Sequence, residues 1–240
     1  MRIATPDPNI PLRRSACALL ATALLQATAI WFHPQAPAAT PIDWVQGLAE
    51  IGPRASHLHL VLVATVVATW LLLGDLGRHW PSQALARGAE RLYALGAAAM
   101  IAGAMINGFA LSRVARWAVM GRASHAEGTD AVVTFAFALN QALAGLGLVA
   151  TCLAILAWSL GLRHCPGRWA RAACIGGIGI AAVCIAGYAL GPIKTDVTGI
   201  ATVTLAQCTW YALVALAVLR GGASAGTRFP SASPRVPESP

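Results

Sequence analysis

The sequence predicts an all-α, polytopic membrane protein: a bundle of six transmembrane helices, with a short amphipathic interfacial helix in the first outer loop. Three observations carry this. Of the 240 residues, 57% are hydrophobic and only 11% charged, with mean hydropathy +0.64, whereas water-soluble domains carry about 25% charged residues. Six apolar runs are long enough to cross a hydrocarbon core of about 30 Å as helices. The charges also segregate by loop. With the N-terminus in the cytoplasm, the inner segments hold twelve of the seventeen basic residues and four acidic ones, and the outer segments hold five of each. The whole formal charge of +8 therefore lies on one face, as the positive-inside rule requires. The expected location is a bacterial inner membrane, with both termini cytoplasmic. A pI of 9.8 then follows from membrane orientation and contact with anionic lipid, and calls for no nucleic-acid partner.

Residues 1–14 form a cytoplasmic N-terminal segment in this reading, 15–220 the transmembrane domain and 221–240 a disordered cytoplasmic tail rich in Ser, Pro and Gly. The first span runs from Ser15 to Phe32 behind Arg13 and Arg14. A short apolar stretch after two arginines, with Ala36-Pro37-Ala38 beyond it, also fits a cleaved signal peptide. The run ends in Trp31, Phe32 and His33 and adjoins another span, which favours retention. In the outer loop, Thr40-Pro41-Ile42-Asp43 carries an N-cap, a proline at the first helical position and a weak capping box. Ile42, Val45, Leu48 and Ile51 recur at three-residue steps until Gly52-Pro53 stops the run. This is the interfacial helix, either a lid over the outer helix ends or a simple tether.

The second span runs from His57 to Gly74 and the third from Arg91 to Ser112, where Ala99, Gly103 and Asn107 share a small-residue face. The fourth, Ala131 to Gly161, repeats that arrangement in Asn140, Ala144, Gly147 and Thr151. The fifth, Arg171 to Gly191, is glycine-rich, and Gly187 and Gly191 form a Gly-x-x-x-Gly pair suited to helix contact. The sixth, Val197 to Leu219, begins after the Gly191-Pro192 break. Trp31, Trp44 and Trp117 fall at outer ends and Trp70, Trp80, Trp158 and Trp169 at inner ends, where indoles favour the headgroup level. Trp210 lies within the last span. The six cysteines sit in spans or on the cytoplasmic side without a Cys-x-x-Cys pair, so they are read as packing residues.

Polar residues gather at the outer helix ends. Asn107, Asn140, Gln141, Asp196 and Gln207 lie at depths where polar groups must face the bundle interior or a wet cavity. They are candidate ligand-binding residues of an outward-facing pocket. Each also has a plainer explanation: interhelical hydrogen bonds for the amides, an N-cap for Asp196. Arg113 joins the candidates with Arg116, three residues on, as an anion clamp, although Glu127 and Asp130 offset two of the charges of Arg113, Arg116 and Arg122. His33, His57, His59 and His125 lie on the outer side. His33, His57 and His59 are candidate ligands of a metal ion, but residues two apart on a helix point about 200° from each other, so His57 and His59 converge only if the second helix starts after His59. The sequence from His125 through Glu127 to Asp130 is too loose for a metal motif. Haem is disfavoured because spans three to six hold no mid-span histidine.

No Gly-x-Ser-x-Gly, His-Glu-x-x-His or Walker A sequence occurs, and a single span-associated aspartate cannot make a dyad. No internal repeat of the transporter kind is evident. Asn107-Gly108-Phe109, Leu139-Asn140-Gln141 and Asp196-Val197-x-Gly199 loosely resemble segments of bacterial six-helix integral membrane proteins with no assigned activity. The likeness covers spans three to six and implies a similar helical bundle, with no catalytic residue. The leading expectation is binding or passage of a small polar or lipid-like ligand. Set against it are a periplasm-facing metal-dependent enzyme and a structural subunit docking a membrane-protein partner or a second copy.

Overall fold

The computed structural model describes residues 10–34, 41–121 and 126–221, with side chains for all of these except 41–44 and 126–130. Arg122, His125 and the expected C-terminal tail lie outside the described residues. So do the side chains of Asp43, Trp44, Glu127 and Asp130.

All regular structure among the described residues is helical: α1 (Ile10–Trp31), α2 (Pro41–Gly77), α3 (Gln83–Met105), a π-helical turn (Ile106–Leu111), α4 (Ser112–Val119), α5 (Ala126–Leu162), α6 (Arg168–Ala189) and α7 (Val197–Gly221). Because α3, the π turn and α4 run on without a break, these make six apolar rods, each long enough to span a bilayer. The chain is thus a six-helix membrane bundle.

Two boundaries differ from expectation. The helix expected to end at Gly52-Pro53 does start at Pro41 but does not stop; it forms the first turns of α2, with Pro53 inside. Tertiary contacts hold this proline, which would otherwise break a helix. Leu48 and Ala55 on either side are buried, and the Ser56 hydroxyl lies 2.9 Å from the Gly52 carbonyl and 2.7 Å from that of Gly108. The third span likewise runs past Ser112 to Val119, so Arg113 and Arg116 do sit on helix.

The most extensive contact between helices is that of α3 with α5, along the small-residue faces. At Gly96 an added methyl would strike Thr151, and at Gly103 it would come within 3.1 Å of Asn140 Oδ1. α1 lies against α7 and α2, burying Ala16, Leu19, Ala23 and Gln26. Near its start Ser15 Oγ donates to Asp75 Oδ2 at 2.7 Å. That end of the bundle is filled by aromatic side chains. Trp158 and Trp210 stack with centroids 6.2 Å apart, Trp80 meets Trp158 edge-on, and the Tyr93 and Tyr211 hydroxyls are 3.2 Å apart. Trp80 and Trp158, expected at the headgroup level, are therefore core residues, exposed by 6% and 0%. Packing among five large rings outweighs the interfacial preference of an indole. At the other end Trp31 and Trp117 are exposed, at 73% and 53%, as a membrane-facing belt requires.

The Gly187 and Gly191 pair is not a helix-docking face. Gly191 takes φ +92° beyond the end of α6, and Ile193 folds back so that its N–H donates to the Gly187 carbonyl at 2.9 Å. An added methyl at Gly187 would meet Ile193, not a neighbouring helix. The pair terminates α6.

Candidate functional site

Opposite the aromatic end, every span except α6 contributes to one cavity of about 420 Å³. Its body is apolar, with Ile30, Val63, Val66, Ile101, Leu148 and Val203 in the wall. Leu48 and Ile51, from the first turns of α2, flank the mouth, so the segment expected to be a lid or a tether forms part of the wall.

Of the nine candidate residues, seven line this cavity: His33, His59, Asn107, Asn140, Gln141, Asp196 and Gln207. Arg113 is exposed on α4 and does not line it. Arg116 is half-buried, with Nε donating to the Ser112 carbonyl at 3.3 Å, so the two arginines do not form a clamp on the cavity. His57 is exposed and faces a shallow groove between α1 and α2, beside Leu25, Phe32 and Arg54. The helical angle between His57 and His59 keeps them on opposite sides.

The polar groups form two tiers. At the mouth, the Thr195 hydroxyl donates to Gln141 Oε1, joining the loop before α7 to α5. Asp196 is exposed, and its Oδ1 accepts the Gly199 N–H at 2.8 Å. It is the N-cap of α7, which satisfies one of the free donors of a helix start. His59 is 5% exposed, and its Nδ1–H donates to the Ala55 carbonyl at 2.7 Å. His33 Nδ1–H donates to the Pro34 carbonyl at 2.9 Å. With both protons on Nδ1, the two Nε2 lone pairs face each other at 3.4 Å, the rings nearly perpendicular at 81°. The Asn107 carboxamide approaches His59 Nε2 at 3.5 Å. Burial, and after it the neighbouring His59, push the His33 imidazole down to about 4, against a smaller upward pull from the Pro34 carbonyl. Near neutral pH it is uncharged.

The deeper tier is set by Gln26 and Gln207. Gln26 lies five residues before the end of α1 and Gln207 ten residues into α7, depths of about 8 and 15 Å at 1.5 Å per residue. Gln207 Nε2 donates to Thr151 Oγ1 at 2.8 Å, and that hydroxyl donates to the Gly147 carbonyl at 2.8 Å. This satisfies the amide of Gln207 across α7 and α5. Gln26 is different: it is 1% exposed, it lines the cavity, and its Oε1 has no hydrogen-bond partner among the described residues. A buried amide oxygen without a partner costs about 1–3 kcal/mol.

Sequence reasoning missed Gln26, Thr195, Thr204 and Ser112, all of which line the cavity. Gln26 carried a signal, being the one carboxamide inside an otherwise apolar first span. The hydroxyls carried none, because a helical Ser or Thr can satisfy itself on its own backbone.

Among the described residues, no three His, Cys, Asp or Glu side chains group as a metal site. Those lining the cavity include no Lys or Arg, and Asp196 is the one carboxylate. The site therefore offers carboxamides, hydroxyls and neutral imidazoles on an apolar body. Comparison with protein families, with curated proteins and with solved structures returned no match for the chain.

Proposed function

We propose that the chain is a bacterial inner-membrane protein with both termini in the cytoplasm, and that its outward-facing cavity binds a small uncharged amphipathic ligand. Carboxamides hold the polar group, the aliphatic wall holds a lipid-like body, and no covalent chemistry takes place. The basic excess on the inner segments supports this orientation. The observation that carries the ligand reading is the Oε1 of Gln26, buried and unpartnered in the cavity wall. Other buried side-chain atoms among the described residues also lack a partner, but Gln26 Oε1 is the one in the cavity lining, where a ligand hydroxyl or N–H would satisfy it. The lack of a cation in the described lining, with Asp196 already used as a cap, favours an uncharged head over an anionic one.

The test is to purify the protein in native lipid nanodiscs, extract with organic solvent and identify what is retained by mass spectrometry. The expected result is about one equivalent of a neutral amphiphile above the bulk lipid profile, reduced at least tenfold in Asn140→Leu and in Gln26→Leu with helicity unchanged. Equal retention in the variants, or no enrichment in the parent, would sink the reading. Stoichiometric co-purification of another membrane protein with no small molecule would favour a structural subunit instead.

A further inference from the structure

The mouth of the cavity carries an arrangement that ligand binding does not explain. Two neutral imidazoles turn their lone pairs toward each other at 3.4 Å, a contact without a donor between them. A hydrogen bond would be shorter, near 2.9 Å. The Asn107 carboxamide lies 3.5 Å from His59 Nε2, also long for such a bond. These are, however, the separations expected of donor atoms around a tetrahedral ion. With metal–ligand bonds of about 2.0–2.1 Å, neighbouring donors stand about 3.3–3.4 Å apart.

We propose that His33 Nε2, His59 Nε2 and the side-chain oxygen of Asn107 form a binding site for a borderline transition-metal ion of the Zn²⁺ type, with the fourth position open to the cavity. The carboxamide can turn to offer oxygen in place of nitrogen, since the two ends are nearly the same in shape. Around a metal, each coordinating histidine typically donates its other N–H to a carbonyl or carboxylate, which fixes the tautomer and aims the ring. Both histidines have that partner here, in Ala55 and Pro34. The chain also makes room for the ring of His59: an added methyl at Gly108 would come within 2.5 Å of its Cγ. Gly108 and Asn107 both belong to the π-helical turn, a distortion that occurs often at functional sites. Neither His57, on the exposed groove, nor Asp196, which caps α7, belongs to the donor set. The two imidazole donors suit Zn²⁺, and Co²⁺ serves as its spectroscopic substitute.

The inference rests on the geometry of the mouth and not on the amphiphile, and its test uses metal alone. Full-length protein in detergent, stripped with chelator, is titrated with Zn²⁺ by calorimetry and with Co²⁺ by visible absorption. The parent and His57→Ala are expected to bind one equivalent, with the intense visible band of four-coordinate Co²⁺. His33→Ala and His59→Ala should lose saturable binding, and Asn107→Ala, which removes a direct donor, should weaken it by at least the roughly 10–100-fold that loss of a contact supporting a ligand costs. His33 lies beyond the end of α1, so its variant keeps the test valid if His59→Ala does not fold. No saturable binding by the folded parent, or undiminished binding by His33→Ala, would overturn the proposal. So would loss of binding in His57→Ala alone.

Discussion

At the scale of single residues, two polar side chains of the cavity separate function from stability by the sign of their effects. Gln26 buries an unpartnered oxygen, so Gln26→Leu should raise the melting temperature of ligand-free protein while lowering ligand retention. A lower melting temperature would mean that the carboxamide is structural. Asp196 caps α7 through Gly199, so Asp196→Ala should destabilise the bundle by about 1 kcal/mol and leave retained ligand and bound metal unchanged. Loss of either with stability intact would return Asp196 to the binding residues. For His33, whose imidazole is pushed down to about 4, histidine NMR should show a neutral ring with the proton on Nδ1 through pH 5. The sign follows from burial, which penalises the charged form; a midpoint above 6 would contradict the half-buried, paired geometry. Asn107, Asn140 and Gln207 could be picked from sequence because a carboxamide within a span must find a partner or a cavity. Gln26 obeys the same rule, but nothing in the sequence separates it from Gln207, whose amide is satisfied by Thr151.

At the scale of elements, periodicity located the spans, while the contacts between them decided where the helices end and bend. Pro53 is a helix breaker by local rules, and it lies within α2 because the Gly108 and Ser112 region packs against that stretch. The π-helical turn at Ile106–Leu111 has no sequence signature, since its residues suit an α-helix as well. Its consequence is testable at Gly108. Gly108→Ala places a methyl against the His59 ring and should cost about 1–3 kcal/mol, the range for overpacking a filled site. Ala110→Leu, two residues on and exposed, should leave the melting temperature unchanged. Equal behaviour of the two variants would show that α2 and the π turn are not in close contact. The Gly-x-x-x-Gly pair carries the complementary lesson. The spacing is compatible with helix docking and with helix termination, and the left-handed Gly191 decided for termination.

At the scale of the whole molecule, five spans enclose the cavity and α6 stays outside it. The first span belongs to this assembly: Leu19, Ala23 and Gln26 are buried, and Ser15 is tied to Asp75. Intact-mass analysis of the membrane-inserted protein should therefore find helix one present; loss of roughly the first 40 residues, as on removal of a signal peptide, would open the cavity between α2 and α7. Reporter fusions after residue 221 should be active only in the cytoplasm, as the charge asymmetry requires; a periplasmic signal would invert the proposed orientation.

The sequence by itself determined that the chain is a membrane bundle of six helices, and it picked out the amide-bearing faces of the spans. These follow from composition, helical period and the cost of polar groups in hydrocarbon, all of them local. Only the tertiary structure decided that His33 is the partner of His59, that Arg113 and His57 lie off the cavity, that Trp80 and Trp158 are core, and that Gln26 leaves an unsatisfied oxygen in the cavity wall. Each of those depends on which distant segment fills the space beside a residue. Helical period sets the direction of a side chain, and packing sets what it meets.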